Sequence, residues 1–208
     1  SKIDRLVGGF RYVRQDPVVF RAIGTVFMFS MFCMPFVVLY PAMASVDWGV
    51  STKSTLYGLL YATFGLGAVV GALSVGTFLS GHRIENVLRG AFVMFGASLA
   101  AYITIRGPAL AFPVGFLLGF FYFVVVTSLS TIFQSRLDHS IRGRVSAVWM
   151  MCFGGTVPVA GLIAGWIVSH SSVNTVIYFG AAFALFLAWF ADLRPPEERA
   201  ALRSITSD

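Results

Sequence analysis

The sequence predicts an all-α integral membrane protein with six transmembrane helices, built as two inverted three-helix repeats. Hydrophobic residues make up 57% of the chain and charged residues only 12%, about half of the charged fraction in average soluble domains. All of that charge lies in the two terminal segments or in the gaps between five long uncharged runs. These runs are 22–46, 54–81, 90–105, 107–135 and 145–191.

The length of each run predicts the number of membrane crossings. A hydrocarbon core about 30 Å thick takes about 20 residues of helix, so the first four runs predict one crossing each, the third being lengthened by Val87 and Leu88. The fifth run is long enough for two helices, because the polar residues between Ser169 and Asn174 predict a tight turn within it. The predicted helices are 18–43, 56–80, 87–105, 109–134, 144–168 and 174–191.

Polar or amphipathic segments flank the predicted transmembrane domain, which covers residues 18–192. Residues 1–17 place apolar side chains at helical spacing with basic side chains on the other face, which predicts a helix lying in the membrane interface. Asp16 and Pro17 are expected to begin the first span, and the proline pair at 195–196 to stop the last. Residues 193–208 are predicted to form a cytoplasmic tail. Because the chain begins with Ser, we expect a fragment or a processed chain.

The distribution of basic residues predicts the orientation. Thirteen of the 15 Lys and Arg residues lie in alternate gaps and in the two termini, and only Lys53 and Arg106 lie in the opposite gaps. Basic loops stay on the cytoplasmic side, so both termini are predicted to be cytoplasmic. This excess of basic residues on the cytoplasmic side explains the net charge of +6. We therefore expect the lipid bilayer as a partner and expect no binding of nucleic acid.

The second and fifth predicted helices resemble each other at an offset of 89 residues. The matching pairs are Phe64 with Phe153, Gly65 with Gly154, Val70 with Val159, Leu73 with Leu162, Gly76 with Gly165 and Ser80 with Ser169. Two units of three spans enter the membrane with opposite polarity, as in the inverted repeats of secondary transporters. Pairs of glycines four residues apart also predict close helix packing. These pairs are Gly67 with Gly71, Gly115 with Gly119, and Gly161 with Gly165.

Three stretches carry a family resemblance. They are Leu39-Tyr40-Pro41, the glycine-rich run 57–71, and Gln134 to Asp138 followed by Arg142-Gly143-Arg144-Val145. In these stretches, the chain resembles the C-terminal half of a major facilitator superfamily transporter. Within that superfamily, it resembles the enterobactin-exporter-like branch of drug and siderophore efflux transporters. A weaker match, the loop 76–89, departs from the family's cytoplasmic loop motif because it lacks that motif's acidic residue.

The resemblance implies an exporter of amphipathic small molecules in the bacterial inner membrane, working by alternating access. It implies an N-terminal six-helix half as partner, in the same or a separate chain, with residues 1–17 as linker; a second copy of this chain is the alternative. No cofactor is implied. Because no predicted span carries a charged residue at its middle, the acidic group that couples transport to ions is expected in the missing half.

An uncharged cavity binds amphipathic molecules through aromatic rings and a few hydroxyl or amide groups. Candidate lining residues at helical spacing are Ser30, Cys33, Tyr40, Tyr57, Tyr61, Phe64, Thr127, Thr131, Gln134, Trp149 and Thr156. For each of them the alternative is a hydroxyl bonded to its own helix backbone or an aromatic anchor at the membrane interface. Asp138, Arg142 and Arg144 are candidates for a cytoplasmic latch, or else serve as topology anchors.

Two other classes of function are alternatives to transport. A non-transporting scaffold would also lack the coupling carboxylate. A membrane enzyme would need a nucleophile with its base, paired acids or a metal cluster inside the membrane, and the spans show none of these patterns. His82, His139 and His170 lie at helix ends on two sides of the membrane, and Cys33 and Cys152 have no paired spacing, so no metal site is predicted.

Overall fold

The computed structural model describes residue 14, residues 16–137 and 142–191, and residue 193. All regular secondary structure in this part of the chain is helical, and six helices are long and apolar enough to cross a membrane. The predicted all-α fold with six spans is therefore confirmed. In chain order, these first to sixth spans are Pro17–Asp47, Thr55–Gly76, Ile84–Thr104, Pro108–Ser135, Val145–His170 and Val173–Phe190.

The first span begins as predicted but is interrupted in its middle. The Asp16 carboxylate accepts hydrogen bonds from the backbone N–H groups of Val18 (2.8 Å) and Val19 (3.2 Å), and Pro17 takes the first helical turn. A π-helical segment, Phe29–Cys33, then separates the helices Pro17–Met28 and Pro35–Asp47. The predicted single crossing is present, but it continues to Asp47 rather than ending near residue 43. Pro35 accounts for the π-helical segment, because it lacks an N–H and its ring crowds the carbonyl four residues earlier.

The fifth span is also broken. Its helices are Arg142–Phe153 and Val157–His170, and residues 154–156 between them form a turn. Two successive glycines and a proline near the start of the second helix favour this break over the continuous helix predicted for 144–168. The second span ends at Gly76 rather than at residue 80, since residues 77–82 form turns.

The six spans define two ends of the bundle. The basic end holds the start of the first span, the end of the sixth, and the loops around Arg83 and Arg136. The far end holds the loops around Lys53, Arg106 and His170. Both ends of the described chain therefore lie at the basic end, as an even number of crossings requires.

Glycines bring the second and fourth spans into backbone contact. A Cβ added at Gly67 or Gly71 would overlap the carbonyl oxygen of Phe116 or Phe120, and one added at Gly119 would overlap that of Phe64. This is the close approach that small residues permit between membrane helices. The other predicted packing glycines differ. A Cβ added at Gly115 would lie 3.3 Å from the Tyr102 ring, one added at Gly161 would lie 3.7 Å from Val38, and one added at Gly165 would meet nothing within 4 Å. Within the described chain, a side chain would therefore fit at Gly165 without an overlap.

Several predictions fall outside the described residues. They concern residues 1–13 of the predicted interfacial helix, the tail beyond residue 193 with the proline pair at 195–196, Asp138, and the side chain of Arg144.

Candidate functional site

The interruptions of the first and fifth spans meet in a buried polar contact. Thr156 donates its hydroxyl to Ser30 Oγ at 2.7 Å, and Ser30 donates to the carbonyl oxygen of Phe153. Ser30 is inaccessible to solvent and Thr156 is buried as well. Non-helical backbone at membrane depth needs such partners, because lipid offers none. The two side chains, predicted to line a cavity, thus bind each other and the backbone at the break.

Cys33 and Trp149, two other predicted lining residues, are also buried between helices. Cys33 Sγ lies 3.5 Å from the carbonyl oxygen of Gly180 in the sixth span. The Trp149 ring packs against that of Phe133, with 4.6 Å between ring centroids. Both side chains therefore connect spans rather than lining either of the grooves described below.

A tyrosine cluster fills the far half of the bundle. The hydroxyl groups of Tyr40 and Tyr102 share a buried hydrogen bond of 2.6 Å. The rings of Tyr57 and Tyr61 contact that of Tyr40 edge-on, with centroids 5.9 and 5.3 Å away, and Trp48 contacts Tyr102 at 4.7 Å. Tyr102 was not predicted as a functional residue, because a single tyrosine near a span end is typical of an interface anchor. The cluster positions Tyr61, the one of these rings that lines a groove.

That groove, the aromatic groove, lies between the first, second and fourth spans. Its volume is about 620 Å³, within the roughly 300–1,000 Å³ range of ligand clefts. Tyr61 and Phe64 line it as predicted candidates, and so does Tyr122, which sequence reasoning missed. The Tyr122 hydroxyl donates to Met34 Sδ at 3.7 Å. The full lining is Val37, Tyr61, Phe64, Gly65, Ala68, Val69, Ala72, Leu73, Tyr122 and Phe123.

A second groove, the threonine groove, continues toward the basic end with a volume of about 390 Å³. Thr127 and Thr131, both predicted candidates, line it from the fourth span, but Thr131 donates its hydroxyl to the Thr127 carbonyl at 2.8 Å. This bond matches the alternative of a hydroxyl bonded to its own helix. The full lining is Ala72, Val75, Gly76, Leu79, Ser80, His82, Ile84, Val87, Thr127 and Thr131.

Ala72 lines both grooves, which therefore adjoin each other along the second and fourth spans, and the two grooves together are called the track. At 1.5 Å per helical residue, the track from Tyr61 to Gly76 extends about 22 Å, most of the thickness of a hydrocarbon core. Its far half is aromatic and apolar, and its basic half adds hydroxyl groups and His82. No Asp, Glu, Lys or Arg is among the residues that line it.

The last predicted site residues lie at the basic end. Gln134 is exposed and donates to Ser130 Oγ at 2.8 Å. Arg142 is exposed at the first residue of its helix, but the latch predicted with Asp138 and Arg144 stays a prediction, since Asp138 and the Arg144 side chain lie outside the described residues.

Comparison with known proteins identifies a family and several relatives. A family model described as "Transmembrane secretion effector" matches residues 3–205. The chain is also similar to the enterobactin exporter EntS of Escherichia coli O1:K1, with 29% identity over 152 residues, 69% of this chain and 34% of that protein. EntS of Citrobacter koseri is 29% identical over 154 residues with the same coverage. The chain thus spans about a third of the length of these relatives. No solved structure matches it.

Proposed function

Because the chain belongs to the transmembrane secretion effector family of the major facilitator superfamily, we propose that it forms one half of an exporter of amphipathic small molecules. The track along the second and fourth spans is the observation that carries this proposal. It crosses most of the membrane on one face of the bundle and places aromatic rings and hydroxyl groups, rather than charges, along its walls.

The chemistry of the walls favours uncharged or weakly polar surfaces on the transported molecule. Rings such as Tyr61, Phe64 and Tyr122 offer apolar faces that pack against planar or aliphatic groups. Towards the basic end, Thr127 and His82 add hydrogen-bonding groups for the polar part of the same molecule. The relatives named enterobactin exporters suggest a siderophore-like molecule as one such substrate.

The track needs a second set of helices to cover it. Leu73 is 64% exposed and Val69 is 59% exposed, although both line the aromatic groove. Inside a membrane, exposed apolar side chains pack against either lipid or another helix. Since the chain spans about a third of its relatives, we propose that an N-terminal half covers this face, and that alternating access is a rocking of the two halves around the track.

Ion coupling is proposed to come from that other half. Among residues 16–137 and 142–191, the charged side chains within spans lie near their ends, as at Arg21, Asp47, Glu85 and Arg89. A proton-coupled exporter needs an ionisable group inside the membrane. We propose a bacterial inner membrane as the location, because an ion gradient is available there to drive export.

A bulky substitution at the junction of the two grooves tests the role of the track. In the full-length protein, A72W is expected to lower export of a fluorescent amphipathic dye at least tenfold, because the indole ring fills the shared section. V70W is the matched control, since Val70 is 44% exposed and lies on nearly the opposite face of the same helix. Equal amounts of both variants must reach the membrane. Unchanged export by A72W would refute the proposal.

The mass of the protein in its native membrane identifies the partner. A mass well above the 22.6 kDa of this chain supports additional spans in the same polypeptide. A mass equal to it assigns the covering helices to a second copy or to a separate chain, and cross-linking through a cysteine at Leu73 then separates these two outcomes.

A further inference from the structure

A third groove lies away from the track, between the third and sixth spans at the basic end. Its volume is about 420 Å³, and Arg89, Asn86 and Trp189 line it near the membrane surface, while Val93 and Leu185 line it deeper. From Asn86 to Val93 the helix rises about 10 Å, so the groove runs from the interface into the hydrocarbon region. It shares no lining residue with either groove of the track.

Arg89 gives the groove a positive charge that the described residues do not neutralise. Its Nε–H donates to the carbonyl oxygen of Ala188 at 3.0 Å, which fixes the guanidinium against the sixth span. No described carboxylate forms an ion pair with it, although Glu85 lies one helical turn away. A guanidinium held at the membrane surface has two further nitrogens that suit the oxygens of a phosphate group.

The remaining walls match the other parts of a phospholipid. Trp189 is 72% exposed at the end of its span, the depth at which indole rings sit among headgroups. Gly90 also lines the groove, and nothing lies within 4 Å of a Cβ added there, so the groove is open at this position. Val93 and Leu185 then offer an apolar surface to an acyl chain.

We propose that this groove binds an anionic phospholipid of the leaflet at the basic end, with the phosphate at Arg89, the glycerol region beside Trp189 and one acyl chain along Val93 and Leu185. Charge complementarity selects the occupant, because basic pockets between transmembrane helices bind anionic headgroups. Both walls belong to this chain, so the site does not depend on the helices that cover the track.

Quenching of Trp189 fluorescence by brominated lipids tests the site. The full-length protein is reconstituted with dibrominated phosphatidylglycerol or dibrominated phosphatidylcholine, and the signal of W189F in the same vesicles is subtracted. We expect half-maximal quenching at an about five-fold lower fraction of the anionic lipid, the factor that one basic residue near an anionic surface contributes. Equal quenching by the two lipids would overturn the proposal.

Two variants and one control separate the groove from general surface charge. R89Q is expected to abolish the preference for the anionic lipid. G90L keeps Arg89 and its bond to Ala188 but fills the groove, and is expected to lower the preference as well. R136Q removes an exposed charge at the same end and should leave the preference unchanged. A preference that survives in R89Q or G90L, or that disappears in R136Q, contradicts a site in this groove.

Discussion

Substituting Gly71 by alanine should destabilise the bundle, although alanine is the better helix former. A Cβ at Gly71 would overlap the Phe120 carbonyl oxygen and would lie 2.9 Å from the Phe120 carbonyl carbon and Cα. All three atoms belong to the backbone of the fourth span, so no side-chain rotation relieves the overlap and the two helices must separate.

The magnitude follows from two opposing terms. Overpacking costs typically about 1–3 kcal/mol, and a rigid backbone contact belongs near the upper end of that range. The Gly-to-Ala change itself gains about 0.5–1 kcal/mol in a helix interior. The net loss is therefore about 2 kcal/mol, or roughly a 30-fold drop in the folding equilibrium constant.

Gly65, six residues earlier in the same helix, is the matched control. No atom lies within 4 Å of a Cβ added there, so G65A should retain only the helix-propensity gain and be as stable as the unmodified protein or slightly more so. Unfolding in mixed micelles with increasing SDS, followed by circular dichroism, measures both variants. Equal shifts for G71A and G65A, or an unshifted G71A, would refute the reasoning from backbone contact.

Two further predictions concern polar contacts. The S30A–T156V double-mutant cycle should show a coupling free energy of about 0.6–1.7 kcal/mol in the same unfolding assay, the range of hydrogen bonds between membrane helices, and additive single effects would contradict a direct bond. R106A removes the 3.1 Å ion pair with Asp47 at the far end. Although the Arg106 side chain is 68% exposed, the Asp47 side chain is only 5% exposed, and its Oδ2 has no hydrogen-bond partner among the described residues. The variant leaves this buried carboxylate unpaired, so the loss in the same unfolding assay should exceed the about 0.2–1 kcal/mol of an exposed ion pair.

The sequence could predict the spans because a helix that crosses the membrane is apolar along nearly its whole length. Run lengths predicted all six spans, and the glycine spacing predicted the contact at Gly67, Gly71 and Gly119. The breaks in the first and fifth spans could not be predicted in the same way. An apolar run has the same composition whether its helix is α-helical, π-helical or interrupted, and Pro35 or Pro158 is tolerated in a membrane helix without a break.

Side-chain direction accounts for the mixed outcome at the candidate site. Helical spacing predicted that Ser30 and Thr156 line a cavity, but in the structure their side chains are hydrogen-bonded to each other where the first and fifth spans are interrupted. Tyr61 and Phe64 were selected by the same spacing and do line a groove. Residue type alone does not separate these cases, because a hydroxyl that binds a ligand and one that satisfies a backbone carbonyl have the same chemistry. Tyr122 and Ala72 carried no signal at all, since both are ordinary residues of an apolar helix.

The backbone contact of the second and fourth spans and the track beside it are parts of one geometry. Gly67 and Gly71 face Phe116 and Phe120, whereas Ala72, the next residue along the helix, lines the track about 100° around the helix axis. The distance between the two spans therefore also sets the width of the track. A variant that separates the backbones changes the walls of the track as well as the stability of the bundle. Transport measured on such a variant reports both effects together, so export is better tested at Ala72, whose side chain lies in the track.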